Sequence, residues 1–351
     1  MSTVQLFVPG RVCLFGEHSD WAAELGVHRG HCLVIGTDQG LHATAGACDE
    51  FIVTAPSQSG PAPLRRLWLP WRVDALRQAA GDPDEFFRYA AGVACLMHDL
   101  RGVRGGIELV IQAMDLPLKK GVASSAAVCI LVAKAFDAVY GLHLFPHELM
   151  ELAYQGEKLT ASQCGRMDQA CIYGKTPVLL TFEGGAGEAG QARPRVEPLF
   201  PRRAVEMLLV DLAGEKDTVG ILSDLRRAYG EQSMLRDALG PDNEQVVRRA
   251  YAALEAGSAA DLGVLMTAAQ RLFDAKVAPH SPHLASPLLH AVLSLEGLGQ
   301  WVTGGKGVGS QGDGTAQFVA RDAASRDAAA AHITHHFPTM RCFPLTIPAR
   351  Q

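Results

Sequence analysis

Pro9-Gly10-Arg11-Val12-Cys13-Leu14-Phe15-Gly16-Glu17-His18-Ser19-Asp20-Trp21 is an apolar strand pattern that ends in four polar residues, three of them ionisable. Two readings of that end stand open. It is a polar turn with solvated charges, or it is a pocket in which carboxylates and an imidazole pair with the hydroxyls of a sugar or polyol. A site built on such pairs rejects analogues that lack the hydroxyls, because its own buried polar groups are then left unpaired. The strand pattern begins at Val4, reaches Phe15 and includes a Pro-Gly turn signal. Downstream, His31–Thr37 and Gly40–Ala45 read as two further strands.

A second stretch, Pro117-Leu118-Lys119-Lys120-Gly121-Val122-Ala123-Ser124-Ser125-Ala126-Ala127, runs directly into an apolar, Ala-rich helix ending near Tyr140. Small residues at a helix start let backbone N–H groups face a phosphate, and the helix dipole favours the negative charge. A serine that only caps the helix is the equal alternative. A third stretch, Thr303-Gly304-Gly305-Lys306-Gly307-Val308-Gly309-Ser310-Gln311-Gly312-Asp313-Gly314, reads as a glycine-rich loop before a strand at Thr315–Ala320. It contains G-x-G-x-x-G, but a dinucleotide fingerprint must open a helix in an early βαβ unit, which this does not. Gly174-Lys175-Thr176 is a similar decoy, since a phosphate-binding loop of that type needs glycine where Gln169 stands.

Around these stretches, the 351 residues are 48% hydrophobic and 20% charged, with a net charge of −5. The 36 glycines exceed the usual share of about 7%. No basic stripe suggests nucleic acid. No apolar run approaches the roughly 20 residues of a membrane span. The N-terminus lacks the pattern of a signal peptide. Eight scattered cysteines without a C-x-x-C pair read as reduced thiols, so a cytoplasmic location is expected.

Helical spacing of apolar residues marks Pro83–Asp99 and Pro146–Leu159, and Ile107–Ile111 and Ala204–Asp211 read as strands. Residues 56–72 read as an irregular surface excursion, and 184–201 as a linker. Helical patterns then run to about residue 298, and an Ala-rich helix covers 322–332. The order of elements is α+β, without the regular alternation of a doubly wound sheet.

The three glycine-rich stretches, in this order, resemble the signature motifs of the GHMP kinases, and the likeness spans nearly the whole chain. The first is closest to the galactokinase pattern PGRVNLIGEHTDY, and the second to P-x-x-x-G-L-x-S-S-A. Cys164-Gly165-Arg166-Met167-Asp168-Gln169 is similar to the CGIMDQ stretch of galactokinases. The resemblance implies a GHMP kinase fold of two α+β domains, near 1–190 and 200–351, with the active site in the cleft between them. It implies ATP and Mg²⁺ as cofactors and a small sugar as acceptor, phosphorylated at its anomeric hydroxyl.

It also implies roles. Asp168 matches the catalytic aspartate and Arg11 the arginine beside it. Glu17, His18, Asp20 and Gly165 match substrate contacts. Lys120, Gly121, Val122, Ala123, Ser124, Ser125 and Ala126 match the nucleotide loop, and Gly304, Gly305, Lys306 and Gly307 match the third motif, with an ATP-binding role as well. Ser125 and Glu157 match magnesium ligands, and Lys216 a substrate-side lysine.

The chain departs from the family at several places. Lys306, Gln311 and Asp313 interrupt the third motif, and Lys306 reads equally as a phosphate contact or a solvated loop lysine. Trp21 replaces a tyrosine. Arg166 reads as a surface residue or as a contact for an acidic sugar. His332, His335 and His336 have ligand-like spacing, but no Cys or carboxylate nearby completes a zinc site. The alternatives to a sugar kinase are a kinase of a non-sugar alcohol such as mevalonate and a non-catalytic ligand sensor. The presence of Asp168, Arg11 and Ser125 speaks against the sensor.

Overall fold

The computed structural model describes residues 3–26, 28–56, 64–115, 124–162, 164–184 and 193–350. Its strands are β1 (Val4–Phe15), β2 (Gly30–Cys48), β3 (Glu50–Ala55), β4 (Arg65–Pro70), β5 (Gly106–Met114), β6 (Val178–Phe182), β7 (Arg195–Pro198), β8 (Val205–Asp211), β9 (Val302–Gly307), β10 (Thr315–Ala320) and β11 (Arg341–Ile347). Its helices are α1 (Ser19–Glu24), α2 (Val73–Gly81), α3 (Arg88–Asp99), α4 (Ser124–Tyr140), α5 (Pro146–Lys158), α6 (Thr218–Glu231), α7 (Ser233–Asp237), α8 (Asn243–Ala256), α9 (Ala259–Lys276), α10 (Pro287–Leu293) and α11 (Ala323–His336). A short 3₁₀ helix spans Asp168–Tyr173. The fold is mixed α+β with two sheets. No helix among the described residues is long and apolar enough to cross a membrane.

The chain forms two compact units that interleave along the sequence. One takes residues up to Arg11, residues 39–115, and α4 through Gly174. The other takes Val12–Asp38 and everything from Lys175 onward.

In the first unit, β3 pairs antiparallel with β4 and parallel with β5, and the later half of β2 pairs antiparallel with β5. Helices α3 and α4 are apolar nearly all round and are buried along most of their lengths. Helix α5 has Pro146 in its first turn, and the Glu148 carboxylate accepts the Phe145 N–H at 3.0 Å, so its start is fixed by sequence. Its buried face carries Leu149, Leu152, Ala153 and Gly156, and ends on Glu157. Gly156 meets Gly92 of α3 so closely that a Cβ on either would overlap the other helix's backbone.

In the second unit, the early half of β2 pairs with β6 and β6 with β7, placing His31 opposite Thr181 and Thr181 opposite Arg195. A four-stranded antiparallel sheet has the order β11-β8-β10-β9. Leu14, Phe15, Leu33, Leu209, Leu254, Met266 and Val319 meet in one core cluster.

Several expectations are corrected. The Pro9-Gly10 signal does not break β1, which runs on to Phe15. The two strands expected at His31–Thr37 and Gly40–Ala45 are one 19-residue strand. The described part of the 56–72 excursion contains β4, whose pairing with β3 overrides its Arg and Pro content. Gly304–Gly307 lies in strand β9, not in a loop. The helix expected from Pro83 starts at Arg88. Of the linker expected at 184–201, residues 185–192 lie outside the described residues, and the described part contains strand β7.

Candidate active site

In the first unit, Arg11 of β1 and Asp168, at the start of the short 3₁₀ helix, form a charge pair. The Arg11 guanidinium donates to the Asp168 carboxylate. Arg11 is 3% exposed, while the Asp168 side chain is 26% exposed. The cation is thus buried behind a carboxylate that solvent or a ligand can still reach. A carboxylate oriented in this way is placed to accept a proton from a hydroxyl.

Glu157, at the buried end of α5, is 1% exposed. Gln169 Nε2 donates to its carboxylate at 2.9 Å, and Ser162 Oγ lies 3.4 Å away. Burial pushes its pKa up to about 7, and the nearby negative charge of Asp168 adds to the rise. Hydrogen bonds from Ser125, Gln169 and Ser162 pull it back. A buried carboxylate with a serine hydroxyl in reach is an oxygen donor set, which fits Mg²⁺. Nearby thiols stay protonated: burial, then the charge of Asp168, pushes Cys171 up to about 12.

Gly165 is buried beside Asp168 in sequence. Arg166 is buried too, which corrects its reading as a surface residue. It pairs with Glu151 at 3.4 Å and its guanidinium lies 4.1 Å from the centre of the Tyr154 ring. Ser124, Ser125 and Ala126 open α4. Lys120, Gly121, Val122 and Ala123 lie outside the described residues.

In the second unit, Glu17, His18 and Asp20 are all buried around the start of α1. Ser19 pins this turn. Its hydroxyl lies 2.9 Å from the carbonyl oxygens of Gly16 and His31, and it accepts the His31 N–H at 3.1 Å. His18 sits in the left-handed region at φ 69°. Trp21 Nε1 donates to His18 Nδ1 at 3.0 Å, so the neutral ring carries its proton on Nε2. Phe273 stacks on the ring at 5.9 Å between centroids. Burial lowers the pKa of His18 to about 3. The charges of Lys216, Lys306 and Arg226 add to the fall, and the Ser310 backbone opposes it.

Lys306 is not a solvated loop lysine. It is 1% exposed, and its ammonium donates to Glu17 and, at 2.9 Å, to the Gly307 carbonyl. Gly304 meets Gly263 of α9 with no room for a Cβ, so these glycines let helix and strand backbones touch. The Gly307 N–H is itself taken, donating to Gln270 Oε1 at 2.8 Å. Lys216 Nζ lies 3.5 Å from the Val308 carbonyl.

The sequence reading missed Gln169, Ser162, Gln270 and Phe273. Gln169 stood in the quoted C-G-x-M-D-Q stretch; the others carry no local signal. Among the described residues, no group of three or more His, Cys, Asp or Glu is placed to hold a metal. His332 Nε2 instead lies 2.8 Å from the Glu296 carbonyl, on the surface.

A family model, the GHMP kinases N terminal domain, matches residues 88–175. The chain is 28% identical over 179 residues to a galactokinase of Exiguobacterium sibiricum, an alignment covering 49% of this chain and 41% of that one. It therefore spans less than half of that relative's length. It is 25% identical over 306 residues to a mevalonate kinase of Aeropyrum pernix, covering 84% of this chain and 83% of that one. Among solved structures, Lactococcus lactis galactokinase complexed with galactose superposes with a TM-score of 0.75 at 17% identity, covering 99% of this chain and 94% of that one. A mevalonate kinase of L. major in complex with R-mevalonate gives 0.72 at 17%, covering 99% and 97%. At such identity these structures establish the fold alone.

Proposed function

Since the chain belongs to the GHMP kinase superfamily, we propose that it transfers the γ-phosphoryl group of ATP to a hydroxyl of a small sugar, at the anomeric position. The family's two-domain division, near 1–190 and 200–351, is part of this reading. The observation that carries it is the pair of a buried Arg11 and a part-exposed Asp168.

In this reading the acceptor hydroxyl attacks the γ-phosphorus as its proton passes to Asp168, and ADP leaves. Arg11 holds the Asp168 carboxylate in place. Phosphoryl transfer needs little from the protein beyond positioning and charge stabilisation. The helix start at Ser124, Ser125 and Ala126 takes the nucleotide phosphates, with Lys120, Gly121, Val122 and Ala123. Ser125 and Glu157 would hold Mg²⁺, which when bound neutralises phosphate charge. Glu17, His18, Asp20 and Gly165 recognise the acceptor. Gly304, Gly305 and Gly307 belong to this reading through the close packing of β9, and Lys306 through its hold on Glu17.

One observation favours a second acceptor class: the mevalonate kinase relative aligns over more of the chain than the galactokinase does. A coupled assay of ADP release separates the two. Galactose, arabinose, glucuronate, inositol and mevalonate are offered in turn with Mg-ATP. Turnover of a free monosaccharide supports the sugar reading. Turnover of mevalonate alone replaces it, and no turnover of any acceptor favours the ligand sensor.

A further inference from the structure

A cavity of about 360 Å³ opens in the second unit between helix α8 and the β2-β6-β7 sheet. Its lining includes none of the residues assigned above to nucleotide, metal or acceptor. The strand register builds its floor. His31, Thr181 and Arg195 stand opposite one another across three strands, and side chains of paired residues share a face. Leu179 adds an apolar patch, and Tyr251 of α8 lines the opposite side.

Charge is concentrated at the mouth. Arg29, Arg195 and Arg248 line the cavity together with Glu183 and Glu197, and Glu244 stands beside it against Arg248. Each guanidinium keeps N–H groups beyond those used in its ion pair. Arg29 uses Nε toward Glu183, Arg195 uses Nη2 toward Glu197, and Arg248 uses Nε and Nη2 toward Glu244. On the floor, His31 is 2% exposed. Its Nδ1 has no hydrogen-bond partner among the described residues. Its Nε2 faces Glu244 at 3.9 Å, which favours the proton on Nε2 and leaves Nδ1 as an acceptor.

We propose that this cavity is a second ligand site, for a small hydroxylated anion such as a polyol phosphate or sugar acid. Guanidinium forks suit phosphate or carboxylate. A hydroxyl serves the unmet acceptor on the floor, and the volume lies at the small end of ligand cavities, about 300–1,000 Å³. The His31 backbone is hydrogen-bonded on both sides to Ser19, within the turn that carries His18 and Asp20. Occupancy therefore touches a segment of the proposed acceptor site.

Isothermal titration of the full chain with glycerol 3-phosphate, inorganic phosphate and glycerol tests the site. Saturable binding is expected for glycerol 3-phosphate, tighter than for phosphate, and none for glycerol. Arg195→Ala with Arg248→Ala removes exposed side chains and should weaken the binding by about tenfold or more, since each charge-assisted contact is strong. Saturating Mg-ATP should leave it in place. The proposal falls if glycerol 3-phosphate does not bind at millimolar concentration, if phosphate binds equally well, or if the double variant binds unchanged. Displacement by Mg-ATP overturns it too, assigning the binding to the nucleotide site. None of these readouts depends on turnover.

Discussion

Glu17 and Lys306 lie 289 positions apart in the chain and form a buried ion pair. The carboxylate comes from the turn before α1, and the ammonium from β9. Removing one partner of such a pair strands the other charge away from water. We expect Lys306→Met to cost about 3–5 kcal/mol in chemical denaturation. Glu17→Leu with Lys306→Met should recover most of it. A single variant as stable as the wild type would mean that the pair carries no such charge balance.

Asp168→Asn should fold and bind ATP normally, yet lose turnover by about 10²–10⁴-fold, the usual share of a general base. Single-turnover kinetics on the acceptor identified by the screen measures this. Retained turnover would remove Asp168 from the proton path.

Glu157→Gln should separate stability from activity. Burial and the neighbouring Asp168 make an ionised Glu157 unfavourable. At pH 8 the variant should melt at the same temperature or higher. Its half-saturating Mg²⁺ should rise by about tenfold, as on losing a metal-site partner. An unchanged magnesium titration would exclude Glu157 as a ligand.

His18 predicts an acid-sensitive fold. Its pKa falls from 6.5 in the unfolded chain to about 3 in the folded one. The unfolded chain therefore binds more protons between those values. The stability is fully present above pH 6.5 and is lost as pH falls toward 3, by about 1.4 kcal/mol per unit. His18→Gln should flatten this slope in urea titrations at a series of pH values. An equally steep slope would place the sensitivity elsewhere.

Gly92→Ala tests the crossing of α3 and α5. The added methyl meets the Gly156 carbonyl, a backbone atom that cannot rotate away. We expect about 1–3 kcal/mol of destabilisation, the size of overpacking, with a weaker magnesium response because Glu157 follows Gly156. A neutral result would show that the two helices can part without cost.

The legible parts of this molecule were those written in consecutive residues. Glu17, His18, Asp20 and Asp168 each stood in a quoted motif, and α4 and α5 announced themselves by composition and periodicity. The partnership of Lys306 with Glu17 was not legible, because a lysine among glycines looks like a loop residue until β9 is paired with β10. Arg166 misled for a similar reason: burial beside Glu151 and Tyr154 depends on how α5 packs. The single long β2 was hidden by Gly36 and Gly40, which suggest an interruption that pairing on both sides overrides.

The interleaving of the two units bears on how the chain is made. During synthesis, β2 leaves the ribosome with β1 as its one partner strand already made. Its later half must wait for β5, and its earlier half for β6, which begins at Val178. For the time it takes to translate well over a hundred residues, the β6 side of Cys32, Leu33 and Val34 stays unpaired. A nascent chain stalled before residue 178 should therefore be a ready client for chaperones that hold exposed apolar strands. For the same reason, neither unit can be produced alone as one continuous fragment.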